Sequence, residues 1–501
     1  MNKIYIKIAS ILLLIVTCVS CADDYLETSP SNSYSEDVVL STTTNAYYTL
    51  NGIHSLIYDR RDDDSQDEAG QSSNNLFCEF AADDVVLSSE GNGWWIYDSK
   101  WESHTLETSS LTDYVYDFYY DIIANANKIL SVVDDLDGTE SEINDIKGQC
   151  LTYRAYAHFM LVQFYGERYV NGADNSSRAV PLLKEYTTEG QPKATVAEIY
   201  TQVTSDLDDA ITLLEGISQD HISNISQDIA KGIRARVALV MQDWSTAYEY
   251  AAEVKVNYSL MGEAEYKSGF NDIEGTEWIW GSEINEEQSR YYASFAAYIS
   301  CNFNSTNVRT NPKLINNLLY DQISDTDYRK DLWLEDAESY SDSLIDNLGL
   351  RTSHSLVDYM NIKFQADDPT STALAGDEVY MRVSEMYLIE AEALANAGQD
   401  ANAAAVLYDL VSKRDSGYSL STNTGQDLID EILLQRRIEL WGEGFRWLDL
   451  KRNDLAMDRQ NSNHNIAVCG TLYEDAPSVN SDWQFLIPQT ELDTNDNLEN
   501  Y

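Results

Sequence analysis

The chain has 501 residues, room for one large domain or two to three ordinary ones, and 43% of them are apolar, enough for a sizeable core. Asp and Glu number 84 against 33 Lys and Arg, a formal charge of −51. That field argues against nucleic acid and against anionic lipid headgroups as electrostatic partners, and the 34 Tyr and 10 Trp stand out as rings suited either to stacking on sugars or to helix packing.

Residues 1–20 place Lys3 and Lys7 ahead of an apolar run at 8–19, the pattern of a secretion signal. The run is too short to span a bilayer comfortably. Ser20 and Cys21 resemble the cleavage site of a bacterial lipoprotein signal peptidase. Cys21 is then expected to become the acylated first residue, and several acyl chains on one cysteine give stable anchoring. Residues 21–44 read as the lipidated N-terminus and tether, and 45–501 as the folded domain. Cys78, Cys150, Cys301 and Cys469 lie far apart without C-x-x-C spacing, which indicates neither zinc nor a dithiol motif and leaves one disulfide open.

A first helix is predicted over 45–57. The polar run 60–75 lacks the ordered acids of a calcium loop and reads as an exposed loop. In 83–103, Gly91 and Gly93 mark a turn, closely followed by Trp94, Trp95, Tyr97 and Trp101. Flat rings on a loop suit the apolar faces of pyranose rings, while neighbouring Asp, Asn and Lys suit their hydroxyls. The competing reading is a small satellite core under the loop.

Apolar spacing predicts long helices over 111–136, 146–166 and 196–214, the second apolar over most of its circumference and hence central. Residues 166–195 form an insertion between them. Residues 229–254 pair Ala235 with Ala247, and 381–411 pair Ala391 with Ala403, the close-approach positions of tetratricopeptide-type helix hairpins. Such repeats are expected over about 111–257 and 376–452. Between them, 258–375 reads as a loop-rich insert with a strand-like piece at 277–280; its Tyr291 and Tyr292 are second-choice ligand contacts beside a packing role.

Residues 436–452, RRIELWGEGFRWLDLKR, interleave Arg436, Glu439, Glu443, Arg446, Asp449 and Arg452 with large apolar groups. Such charges are expected to be half buried and paired, where breaking a pair is costly. One reading is a site for an anionic ligand; the other, which we adopt, is a structural ion-pair latch between helices. Near the end, Trp483, Phe485 and Ile487 alternate as a short strand closed by Pro488.

The 436–452 stretch resembles the R-x-x-E-L-x-x-E-G-x-R-x-x-D-L-x-R signature of the SusD/RagB family of Bacteroidetes outer-membrane lipoproteins, through Arg436, Glu439, Leu440, Glu443, Gly444, Arg446, Asp449, Leu450 and Arg452. Ile487, Pro488 and Glu491 resemble the family's closing motif, and Asp23 and Asp24 after Cys21 resemble its surface-export signal. The resemblance implies a mostly α fold, tetratricopeptide-type hairpins forming a scaffold split by a ligand-binding insert. It also implies a cell-surface glycan-binding lipoprotein that performs no chemistry and delivers its ligand to a SusC-like TonB-dependent transporter. Peptide uptake by the same fold is the alternative, a surface glycosidase a further one. No cofactor is implied, and structural calcium stays open.

Overall fold

The computed structural model describes residues 40–61, 65–288, 292–350, 352–366, 368–370 and 376–499. The signal segment, Cys21, most of the tether and Tyr291 lie outside the described residues. Among those described, no helix is long and apolar enough to cross a membrane.

The scaffold is a succession of helices in chain order. Helix α1 (Thr43–Tyr58) starts where the Thr42 side chain accepts the Asn45 N–H. Helix α2 (Gly70–Phe80) replaces the exposed loop expected up to residue 75. Its first turns are polar yet buried, because their groups are satisfied internally. The Gln71 Oε1 accepts from Tyr119 Oη at 3.0 Å, Asn74 Nδ2 donates to the same hydroxyl at 3.1 Å, and Ser72 bonds Glu378. Gly70 opens it at φ +60°, where an added Cβ would sit 2.2 Å from the Ile57 carbonyl oxygen.

Helices α3 (Ser110–Leu130), α4 (Glu140–Tyr165) and α5 (Val196–Leu213) follow, the last two opened by capping boxes at Thr139/Glu142 and Thr195/Glu198. As its sequence implies, α4 is buried around nearly all of its circumference from Ile146 onward. The first expected hairpin is α6 (Gln227–Val240) and α7 (Trp244–Lys255); the second is α8 (Val383–Asn396) and α9 (Asp400–Val411). Ala235, Ala247, Ala391 and Ala403 are all fully buried where the paired helices approach. Helices α10 (Gln426–Glu439) and α11 (Arg446–Arg452) complete the scaffold.

Two small sheets attach the irregular part. Trp278–Ser282 pairs antiparallel with Glu378–Arg382 and closes the insert at its root. The other sheet runs β1 (Val85–Leu87), β2 (Lys313–Ile315), β4 (Met360–Asn361), β3 (Trp333–Leu334), joining the early chain to the insert. The predicted closing strand begins in a 3-10 turn (Ser481–Trp483) and joins no ladder: Phe485 and Leu486 donate to the carbonyls of Phe164 (2.9 Å) and His104 (3.1 Å). Its alternation holds, with Trp483, Phe485 and Ile487 in the main core. Pro488 then caps a short helix, Gln489–Thr494. Cys78, Cys150, Cys301 and Cys469 are all buried free thiols.

Candidate functional site

Strand β1 pairs with β2 in the register Val85↔Ile315 and Leu87↔Lys313, which delivers residues 88–101 onto the insert. Asn311 Oδ1 accepts from Ser88 Oγ (3.3 Å) and the Ser89 N–H (3.2 Å), Ser89 Oγ donates to the Thr310 carbonyl (2.7 Å), and Asn307 Nδ2 donates to Asn92 Oδ1 (3.1 Å). The turn itself needs left-handed backbone at Gly91 (φ +51°) and Gly93 (φ +94°).

The rings on this loop divide. Trp95, itself at φ +68°, turns inward and is 2% exposed, edge-on to Phe80 and Tyr298. Trp101 is 5% exposed; its indole N–H donates to the Ala81 carbonyl at 2.7 Å and its ring meets Trp483 edge-on at 4.8 Å. Both belong to the main core and not to a small satellite core under the loop, so the four-ring platform is corrected for these two. Trp94 stays half-buried beside Tyr298, and Tyr97 is 64% exposed with the Lys100 ammonium 6.0 Å from its ring centroid. Tyr292 is half-buried and packs against the main core.

The 436–452 signature is a buried ion-pair network, and most of its partners come from elsewhere in the chain. Glu439 is gripped by Arg329 (3.0 Å), Arg382 (3.2 Å) and Arg414 (3.0 Å). Glu443 takes Arg382 and Lys363, each at 2.7 Å. Asp449 bridges Arg436 (2.7 Å) and Arg452 (2.8 Å), and Arg452 continues to Glu392. Burial alone would push these carboxyls up, but the surrounding cations outweigh it and hold Glu439, Glu443 and Asp449 below the usual carboxylate range. These acids are committed to arginines and Lys363, not poised for proton transfer.

Two links tie this network to the ring-bearing loop. Arg446 and Arg437 bind Asp83 and Asp84, both at 2.6 Å, immediately before β1, and the Trp441 N–H donates to the Asp84 carbonyl at 3.0 Å. The second link is an anion cradle. Gly442 (φ +80°) and Gly444 (φ +94°) turn successive N–H groups to one point, the arrangement known as a nest. The Glu79 carboxylate of α2 fills it, accepting from Gly442 (3.2 Å), Gly444 (2.8 Å), Phe445 (2.9 Å) and Arg446 (3.4 Å). The anion that this stretch binds is therefore the protein's own. No local sequence signal marks Glu79 as the partner of this turn. Among the described residues, no group of three or more His, Cys, Asp or Glu side chains is arranged to hold a metal ion.

These features define a helical-repeat scaffold whose buried charges fix a loop-built, ring-bearing face. A SusD-like family described as "starch-binding associating with outer membrane" matches residues 24–239, and the SusD family matches residues 233–501. The second match covers more than half of the chain, and the protein belongs to the SusD family. A SusD-like protein of Formosa agariphila is 21% identical, over 90% of this chain and 92% of its own. The crystal structure of a SusD-like carbohydrate binding protein from Bacteroides vulgatus superposes with a TM-score of 0.78 at 26% identity, covering 91% of this chain and 97% of that one. Surface glycan-binding protein A from Bacteroides thetaiotaomicron, solved in complex with laminarihexaose, shares the fold at a TM-score of 0.68 and 17% identity, over 92% of this chain and 99% of that one.

Proposed function

We propose that this protein is a surface glycan-binding lipoprotein, anchored through acylated Cys21, that captures oligo- or polysaccharide and passes it unaltered to a SusC-like TonB-dependent transporter. Family membership supports the class, and the B. thetaiotaomicron neighbour shows the fold holding a glucan. The observation that carries the reading is the half-buried Trp94 and exposed Tyr97 on a loop clamped to the insert. Such rings offer flat apolar area whose position is already set, so little ordering is lost on binding.

In calorimetric titration of a glycan panel, Trp94→Ala and Tyr97→Ala are each expected to weaken the best ligand about tenfold, roughly 1.4 kcal/mol. Trp95→Ala is expected instead to lower stability, by about 3–5 kcal/mol for a truncated buried aromatic. Unchanged affinity in both surface variants would refute the loop as a binding face. The charge of −51 favours a second reading, capture of basic peptides. Lys- and Arg-rich peptides in the same titration distinguish the two. Release of new reducing ends from the panel would instead show a glycosidase.

A further inference from the structure

A cleft of about 740 Å³ opens beside strand β3, at the edge of the insert sheet opposite β1. Its rings are Trp333, Tyr340 and Tyr359, and its carboxylates are Asp331, Glu335 and Asp336. Tyr340 is held in place, its hydroxyl shared between the carbonyls of Leu334 (2.5 Å) and Val357 (3.2 Å). Tyr359 has φ +66°, a conformation that bulky residues rarely adopt and that costs about 1–3 kcal/mol. Its N–H donates to the Leu334 carbonyl at 2.6 Å, and its ring stands edge-on to Tyr320 at 5.3 Å while staying half-exposed. Trp333 is 3% exposed and packs edge-on against Trp441, so it forms the floor beneath the cleft.

We infer that this cleft is a second carbohydrate subsite, distinct from the Trp94 loop and selective for uncharged pyranose units. The inference rests on the glycan-binding reading above. Tyr340 and Tyr359, both half-buried, supply the apolar stacking surface, and carboxylates accept from sugar hydroxyls. Lys267 offsets Asp331, which it pairs at 2.7 Å while also holding Glu263, but Glu335 and Asp336 carry no ion pair among the described residues and repel uronate and sulfate groups. The 88–101 loop leaves the β1 edge of one four-stranded sheet and the cleft lies beside the opposite, β3 edge. Three strand spacings put those edges roughly 14 Å apart. A glycan of several units can engage both, and the second contact then forms at high effective concentration.

The test is calorimetric titration of the full mature protein with the di- and hexasaccharides of β-1,3-glucan, cellulose and xylan, and with hexagalacturonate. Tyr359→Gly removes the ring and tolerates the positive φ. Glu335→Gln removes charge at an exposed position and keeps an acceptor for Tyr320. Wild-type protein is expected to bind a neutral hexamer more tightly than its dimer and to reject hexagalacturonate. Both variants are expected to lose about fivefold or more of the hexamer affinity, while dimer binding that depends on the Trp94 loop persists. Wild-type hexamer binding that both variants retain, or a preference for hexagalacturonate, would overturn the inference alone. No binding to any probe by the wild type would overturn it together with the glycan-binding reading.

Discussion

Arg382→Leu is expected to destabilise the protein by about 3–5 kcal/mol, the cost of removing one partner from a buried charge network. Arg382 reaches three carboxylates: Glu277 at 2.6 Å, Glu443 at 2.7 Å and Glu439 at 3.2 Å. All four side chains are buried. Leucine matches part of the arginine stem's bulk, so the loss measures uncompensated charge more than cavity. Arg382→Lys is expected to recover only part of it, because an ammonium cannot reproduce a planar fork spread over three acids. Urea unfolding at neutral pH reads the difference. The pH dependence adds a signature. Glu439 and Glu443 have folded pKa values below those of the unfolded chain, so their contribution is present above about pH 4.5 and is lost as pH falls through the folded values. Without Arg382 these acids protonate more readily, and the deficit is expected to narrow below about pH 4.5. A constant deficit from pH 7 to pH 3.5 would mean that packing, not charge, holds Arg382 in place.

That network also shows what could be read from one dimension. Helices α3 and α5 to α9 announced themselves because each buries an apolar stripe that repeats locally, and α4 because it is apolar over most of its circumference. The charges of 436–452 were recognisable as half buried because Trp441, Trp447 and Leu450 sit among them; in the fold Arg436, Glu439, Glu443, Asp449 and Arg452 are buried, enclosed along with those side chains. Several of their partners were not recognisable. Arg329, Arg382 and Arg414 meet Glu439 from outside the signature, and nothing near them in sequence marks the pairing. The start of α2 failed for a related reason. Gln71, Ser72 and Asn74 look like loop residues until Tyr119 and Glu378 arrive to satisfy them. On the Trp94 loop the composition was informative and the direction of each ring was not. A left-handed backbone at Trp95 sends that side chain inward, whereas Tyr97, two residues on, faces solvent.

Glu79→Ala is expected to cost about 3 kcal/mol or more, since it removes the acceptor of four backbone N–H groups and each orphaned buried donor costs about 1–3 kcal/mol. The nest cannot simply close. Gly444 lies against Asn75, where an added Cβ would come within 2.6 Å, and the helix after the turn carries Trp447 into a cluster with Phe77, Phe164, Trp483 and Phe485. Glu79→Gln is expected to be milder, about 1–2 kcal/mol at neutral pH, because its amide oxygen still accepts and the buried charge is gone. Burial and the nearby Asp84 push the Glu79 carboxyl up to about 7, although the N–H groups of Gly444, Phe445 and Arg446 restrain the rise. An acid raised in the folded state stabilises below its unfolded pKa, and that contribution is lost as pH rises through the folded value. Glu378 and Asp98, also raised to about 7 by burial, act in the same direction. His54, His104, His158 and His464, lowered to about 4, 4, 3 and 3 by desolvation, act in the opposite direction below about pH 6.5, so the Glu79 contribution is read from the difference between two proteins that share them. Glu79→Gln removes the Glu79 contribution alone, so its deficit relative to wild type is expected to widen as pH falls from 8 towards 5. Parallel pH profiles for wild type and Glu79→Gln in urea unfolding would show that the nest holds an acid whose charge does not matter to the fold.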